Sequence, residues 1–175
     1  MTVHPAFGSP SFGLVVKGLL ELHRLIGEGK DDSAEAQAAR DALDMSWKAL
    51  SRIDKERAQW LSEDLYSISE PSTPVSRKAM NSQARQQFKE AIESHQSRQW
   101  DRALALLRQA REFLPPAVLS FNRGSLWFDA GYPDIAATFY GHAAKCEPQN
   151  PHYQTLYTTT LEVARLVAES SAERN

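Results

Sequence analysis

Apolar and polar residues alternate along most of this chain with the period of an α-helix. From position 11 onward, the first such pattern places its apolar residues on one face, at steps of three and four: Phe12, Val15, Leu19, Leu22 and Ile26. Gly27 and Gly29 are predicted to end this helix. No stretch of the sequence has the two-residue period of a half-buried β-strand. The pattern therefore predicts an all-α protein.

Two further amphipathic stretches follow before position 70, so the first part of the chain predicts three helices. Residues 1–10 contain two prolines and a glycine and are predicted to form an extended lead-in. Trp47 and Trp60 are the largest apolar side chains of this region and the predicted centre of its core. We expect residues 1–70 to form one N-terminal helical unit.

A segment rich in proline and hydroxyl side chains interrupts the periodicity after position 69, and residues 71–82 are predicted to be a linker or crossover. The region from 83 to 170 then predicts helical repeats and a C-terminal helix, with helices near 82–97, 100–113, 117–130, 133–146 and 151–170. Residues 171–175 are predicted to be a disordered tail.

The segment 84–115 and the segment 117–148 repeat one sparse pattern at a constant offset. The matched pairs are Ala91 with Gly124, Ala103 with Ala136, Ala110 with Ala143, and Pro115 with Pro148. Small residues at fixed spacing let two helices approach closely, and a proline ends the second helix. The repeat therefore predicts two successive helical hairpins.

These residues resemble the tetratricopeptide repeat family, in which about 34 residues form two antiparallel helices. The second copy carries the resemblance best, through Gly124, Trp127, Gly131, Ala136, Tyr140, Ala143 and Pro148. The resemblance covers about 84–168 and implies a right-handed α-solenoid whose open end is covered by the last helix.

The first copy departs from the family pattern at Gln87, Glu90 and Ser94, where larger apolar residues are usual. Two repeats are also fewer than the three that usually form a stable array. We therefore expect the N-terminal helices to cover the exposed face of the first repeat.

The composition narrows the class of protein further. The chain has 175 residues, 20 basic and 22 acidic residues, a net charge of −2 and one cysteine. This balance gives no broad attraction to nucleic acid or an anionic membrane, and one cysteine excludes an intramolecular disulfide. The apolar run near the start is broken by charged residues, so it predicts neither a signal peptide nor a membrane span. The predicted location is the cytoplasm.

No group of residues predicts catalysis. The five histidines show no metal-ligand spacing, and neither a phosphate-binding loop nor a dinucleotide-binding motif occurs. Cys146 aligns with Phe113 of the other repeat, which indicates a small packing residue rather than a nucleophile. We therefore expect a non-enzymatic protein with no metal and no cofactor.

The resemblance implies that the first helix of each repeat lines a concave groove that holds a protein or peptide partner. Carried over to this sequence, the candidate binding residues are Lys89, Phe121, Asn122, Ser125 and Phe128. Asn122 is placed to contact a peptide backbone, and Lys89 to attract an acidic peptide end. Phe121 and Phe128 have an alternative interpretation as core residues.

The predicted function is thus that of a protein-binding scaffold or adaptor. Two alternatives stay open. The apolar stripes of helices 12–26 and 151–168 could pair between two copies of the chain, which would make it a homo-oligomerisation module. The third interpretation is a small enzyme whose site has no recognisable motif.

Overall fold

The computed structural model describes residues 7–69 and 78–173, and across these residues the chain is helical, without strands. The described helices are α1 (Pro10–Gly27), α2 (Ala34–Lys48), α3 (Arg52–Ser69), α4 (Ser82–Gln96), α5 (Trp100–Ala110), α6 (Pro116–Asp129), α7 (Pro133–Cys146) and α8 (Pro151–Ala172). The prediction of an all-α protein is confirmed.

The chain divides into two compact units, one within residues 8–75 and one within 76–175 that also includes Phe7. In the first unit, α1 packs against both α2 and α3. The contact with α2 is close at Gly18, where an added Cβ would lie 2.7 Å from a Leu43 methyl carbon. The buried apolar residues of this unit include Phe12, Val15, Val16, Leu25, Ala58, Leu61 and Leu65.

Local signals explain where the helices of the first unit begin and end. The hydroxyl oxygen of Ser9 accepts from the backbone N–H of Phe12, and that of Ser33 accepts from Ala36, so both serines cap a helix. Gly29 adopts a φ of 70°, and the next N–H reaches back to the carbonyl of Leu25 at 2.9 Å. This left-handed glycine closes α1 as expected from the sequence.

The tryptophans are less buried than the sequence predicts. Trp47 is 37 % exposed, and Trp60 is only partly buried. The buried stripe of α2 runs through Ala36 and the half-buried Leu43, and it stops before the last turn, where Trp47 and the 71 % exposed Met45 lie. The prediction of Trp47 as a core residue is wrong. Helical spacing shows which side of α2 is apolar, but it does not show how much of the length of α2 is covered by the helix that packs against it.

The second unit contains two antiparallel helical hairpins, which we call the first hairpin (α4 and α5) and the second hairpin (α6 and α7). Helix α5 also packs against α6, and α7 packs against α8. The alanines at the repeated positions are buried, with Ala103, Ala110, Ala136 and Ala143 each at 0 % exposure. Small residues therefore occupy the helix contacts in both hairpins.

The two hairpins close with the same backbone turn at the same place in the repeat. Arg98 has a φ of 56°, and Gly131, at the matched position of the second copy, has a φ of 94°. The N–H of Gln99 donates to the Ser94 carbonyl at 2.8 Å, and the N–H of Tyr132 donates to the Trp127 carbonyl at 2.9 Å. Both turns are Schellman motifs, with a left-handed residue directly after the C-cap residue of the first helix.

Polar residues that depart from the repeat pattern have partners inside the first hairpin. The Gln87 amide nitrogen donates to the amide oxygen of Gln109 at 3.0 Å, and Glu90 pairs with Arg102 at 3.6 Å. Both contacts join α4 to α5. Their polar character is accounted for by contacts within the hairpin, and coverage by the N-terminal helices stays a prediction.

Several predicted bounds differ from the structure. Helix α5 ends at Ala110 and is followed by turn residues, whereas the sequence predicts a helix to 113. Helix α8 continues to Ala172, inside the segment 171–175 predicted as a tail, and 174–175 lie outside the described residues. The linker predicted at 71–82 also lies mostly outside them, and α4 begins within it at Ser82. Among the helices described, none is both long and apolar enough to cross a bilayer.

Candidate functional site

The predicted binding residues lie on the first helix of each hairpin, with Lys89 on α4 and the other four on α6. The Lys89 side chain is 69 % exposed, and its ammonium lies 3.7 Å from the carboxylate of Glu93 one turn later. A pair with this exposure is weak in water and exchanges readily with another anion. Lys89 is thus accessible to a ligand.

Asn122 is turned toward its own helix. Its residue exposure is 9 %, and its amide nitrogen donates to the carbonyl of Val118 at 2.7 Å. Contact with a peptide backbone, as the resemblance implies, would use the amide oxygen or a rotated side chain.

Phe121 belongs to an aromatic cluster between α6, α7 and α8. Its ring centroid lies 6.1 Å from that of Tyr140, 5.6 Å from Tyr153 and 5.6 Å from His152. The ring is partly buried and packs against the core formed by Ala117, Ala143, Ala144 and Tyr153. Of the two interpretations of Phe121, packing in the core accounts for most of its side-chain surface.

Ser125 connects α6 to α7 through hydrogen bonds. Its hydroxyl donates to the Phe121 carbonyl at 3.0 Å and accepts from the Tyr140 hydroxyl at 3.0 Å. Burial raises the pKa of the Tyr140 hydroxyl, and the hydrogen bond to Ser125 acts in the opposite direction. The phenol stays protonated and is a fixed donor, so Ser125 holds the Tyr140 ring in place.

Phe128 is the exposed aromatic residue of this set. It is 40 % exposed and lies in the last turn of α6, next to Asp129. Its ring therefore presents apolar surface to solvent. The core interpretation of Phe128 does not describe this exposed part.

A polar contact that the sequence did not predict joins the ends of α4 and α6. The Nε2 atom of His95 lies 2.9 Å from the Asp129 carboxylate, and the His95 side chain is 17 % exposed. Both residues lie at positions that the tetratricopeptide resemblance assigns to the groove. Their spacing of about one repeat was the feature of the sequence from which the contact could have been predicted. The contact brings the C-terminal turns of the two first helices together.

Beside this contact lies a cleft of about 290 Å³, lined by His95, Gln96, Arg98, Trp100 and Asp129. The His95 ring centroid is 5.8 Å from the indole of Trp100. The cleft thus combines an indole edge with groups of both charges. We call the exposed side chains of α4 and α6, together with this cleft, the α4–α6 face; it includes Lys89, His95, Phe128 and Asp129.

Possible metal ligands and the cysteine are the remaining groups of chemical interest. Between 7 and 69 and between 78 and 173, no three histidine, cysteine or acidic residues are arranged to hold a metal ion. Burial, together with the charge of Glu147, raises the pKa of the Cys146 thiol. The thiol therefore stays protonated at neutral pH and is a poor nucleophile. Its neighbour His142 is oriented by Ser120, whose hydroxyl lies 2.7 Å from Nδ1.

No protein-family model matches this sequence, and no curated protein or solved structure is significantly similar to it. The tetratricopeptide resemblance thus stays a resemblance in the residues quoted above. The candidate site is defined by its geometry alone.

Proposed function

We propose that this chain is a non-enzymatic adaptor that binds a peptide or protein partner on the α4–α6 face. The observation that carries the proposal is the junction of α4 and α6 at His95 and Asp129, on a helix that also carries the exposed side chain of Phe128. Exposed aromatic rings next to polar groups are characteristic of the centres of protein interfaces.

The chemistry of the face fits a polypeptide. Lys89 supplies an accessible cation, Asp129 a carboxylate that is 57 % exposed, and Phe128 an apolar contact. A polypeptide can satisfy all three with side chains spaced along one segment, and the cleft beside Trp100 accommodates one of them.

The interpretation of the second unit as a tetratricopeptide-like, right-handed solenoid is part of the same proposal. The equivalent turns at Arg98 and Gly131 support it, because a repeated sequence pattern ends in a repeated backbone conformation. In such a stack the first helices of successive repeats form one continuous surface. Helix α8, which packs on α7, would cover the open end.

The non-enzymatic part of the proposal is supported by the protonated Cys146 thiol and by the aromatic packing around Phe121. A cytoplasmic location is also proposed. A single cysteine forms no intramolecular disulfide, so the fold requires no oxidising compartment.

A peptide selection tests the function. Dodecapeptides displayed on phage are selected on the full-length chain, and their dissociation constants are then measured by calorimetry against the wild type, Lys89→Glu and Phe128→Ser. Tyr66→Ser is the matched control, because Tyr66 is a 62 % exposed aromatic residue of the other unit. We expect both face variants to weaken binding at least about tenfold and the control to leave it unchanged. Equal binding by all four proteins would show that the α4–α6 face is not the site.

Self-association is a second candidate, favoured by exposed apolar side chains along α8. Leu161, Leu166 and Val167 are 44 %, 51 % and 49 % exposed. Leu161 lies on a different side of the helix from Leu166 and Val167, so pairing of α8 between two copies would centre on Leu166 and its neighbour Val167. Light scattering at two concentrations separates the candidates: a monomer at both excludes self-association, and a concentration-dependent dimer that Leu166→Glu abolishes supports it.

A further inference from the structure

Phe7 lies outside the helices, yet it is among the most buried aromatic residues of the protein. It is 3 % exposed, and its ring centroid lies 5.6 Å from that of Trp127 at an angle of 71°. Trp127 in turn meets Tyr132 edge-on, with centroids 5.7 Å apart at 88°. Edge-to-face contacts of this kind are the preferred arrangement of aromatic pairs. The second hairpin thus holds a residue that is far from Trp127 in the sequence.

The second hairpin contacts the main chain of Phe7 as well as its ring. The buried hydroxyl of Tyr132 donates a hydrogen bond to the Phe7 carbonyl oxygen. We call the surface formed by Trp127 and Tyr132 the Phe7 socket. Because it binds an apolar side chain and a backbone acceptor of the same residue, it has the features of a site for a short peptide segment.

The residue after Phe7 restricts which segment fits. Gly8 has a φ of 93°, a left-handed conformation that residues with a Cβ rarely adopt. The matching ligand is an aromatic residue followed by glycine, with its carbonyl directed at Tyr132.

The socket is not required for the turn that carries it. At the equivalent positions of the first hairpin stand Ser94 and Gln99, and the same Schellman turn forms there without aromatic rings. Trp127 and Tyr132 therefore add a binding surface to a backbone that forms in its absence.

From these contacts we infer that the Phe7 socket is a peptide-binding site for a Phe-Gly segment, which the chain fills with its own Phe7. A segment tethered in cis acts at a millimolar effective concentration, so it blocks ligands that are dilute in solution. Removing the Phe7 ring opens the site to a Phe-Gly peptide supplied in trans. This inference does not depend on the α4–α6 face.

The test uses full-length Phe7→Ala and a synthetic decapeptide with the sequence of residues 3–12, VHPAFGSPSF. Calorimetry should show one peptide bound per Phe7→Ala chain and binding to the wild type at least about tenfold weaker. The control peptide VHPAAGSPSF, without the central ring, should bind the variant at least about tenfold more weakly, the value of one buried phenyl group. Adding Tyr132→Phe to the variant removes the hydroxyl and keeps the ring, and it should weaken the first peptide.

Three results would overturn the inference. A folded Phe7→Ala chain that binds neither peptide excludes a site, and one that binds both equally excludes recognition of the ring. Circular dichroism establishes the fold first, and Phe7→Leu, which keeps an apolar side chain, replaces the alanine variant if that variant unfolds. Unfolding of both would show that Phe7 is an inseparable part of the core and not an exchangeable ligand.

Discussion

The first and second hairpins share a backbone turn, but they differ in the side chains that surround it. The first hairpin places Ser94 and Gln99 at the turn, and the second places Trp127 and Tyr132 at the matched positions. The left-handed residue is Arg98 in one and Gly131 in the other. The backbone conformation of the turn thus does not require the aromatic rings. The second hairpin has more buried residues than the first.

The difference shows how a repeat can specialise. In the first hairpin, polar pairs such as Gln87 with Gln109 join the helices near solvent. The matched pair of the second hairpin, Ser120 with His142, is polar as well, with the hydroxyl 2.7 Å from Nδ1. The hairpins differ at the turn, where the second has aromatic rings in place of Ser94 and Gln99, and these rings contact Phe7. We therefore expect substitutions at matched positions to have unequal effects, with larger losses of stability in the second hairpin.

The largest expected effect is at Trp127. Trp127→Ala removes a side chain that is 1 % exposed, and such a substitution lowers the free energy of unfolding by about 3–5 kcal/mol. Ser94→Ala, at the matched position, should lower it by about 1 kcal/mol or less, because the turn uses only the Ser94 backbone carbonyl. Urea denaturation followed by circular dichroism measures both. Equal losses would show that the two hairpins are packed alike.

The second expected effect concerns a close helix contact of the second hairpin, at Gly124. A Cβ added at Gly124 would lie 2.8 Å from two ring carbons of Tyr140, which is 4 % exposed and held by Ser125. Overpacking of about 1–3 kcal/mol outweighs the gain in helix propensity of about 1 kcal/mol, so Gly124→Ala should destabilise the protein.

The first hairpin supplies the compensating change for this contact, because Ala91 and Leu107 stand at the positions that match Gly124 and Tyr140. In a Tyr140→Leu background, Gly124→Ala should be neutral or stabilising. A double-mutant cycle in urea measures this coupling. The same loss in both backgrounds would mean that the Tyr140 ring is not the obstacle.

These contacts show what the sequence could predict and what it could not. The helices followed from periodicity, and the buried alanines followed from their fixed spacing in the two copies, which helix propensity alone would not produce. The burial of Phe7 did not, since its partner Trp127 is distant in sequence and no local pattern links them. Arg123 is 2 % exposed, with its guanidinium over the Phe139 ring. This burial could not be predicted either, because an arginine is normally expected at the surface.

For the candidate site, the sequence predicted which helices carry the residues, but not which side chains are buried and which are exposed. Phe121 and Phe128 both fit the groove spacing, yet one packs in a cluster and the other is 40 % exposed. The pairing of His95 with Asp129 could not be predicted, because helical periodicity gives no information about the distance between two hairpins.

A smaller effect is expected at the left-handed turn residue. Arg98 has a φ of 56°, where a side chain costs about 1–2 kcal/mol, and glycine removes that strain while losing about 0.5–1 kcal/mol to chain entropy. Arg98→Gly should therefore raise the free energy of unfolding by up to about 1 kcal/mol. Gly131→Ala, in the other turn, should lower it. Arg98→Ala is the control, because it removes the guanidinium and keeps the strained backbone; a gain as large as that of glycine would contradict the argument.

The smallest expected effect is a pH dependence at the open end of the first hairpin, where Lys78 precedes α4 and Glu112 follows α5. The Lys78 ammonium bonds to the Glu112 carboxylate and lowers the pKa of that carboxyl. The pair therefore contributes stability above the ordinary pKa of glutamate, and the contribution is lost as the pH falls through the lowered value. The second hairpin has Lys145 at the position of Glu112 and cannot form this pair.

Glu112→Gln should accordingly melt slightly below the wild type at pH 7, and the gap should close as the pH falls below the lowered pKa of Glu112. The gap is small because the Glu112 side chain is 48 % exposed and its pairing is screened. Lys78→Ala should show the same closing gap, and adding Glu112→Gln to it should change little, since either substitution removes the pair. Melting curves at several pH values measure the difference in melting temperature between each variant and the wild type. If this difference stays constant into acid, the effect of Glu112→Gln comes from lost packing or backbone contact. The ion pair would then have no measurable part in the difference between the hairpins.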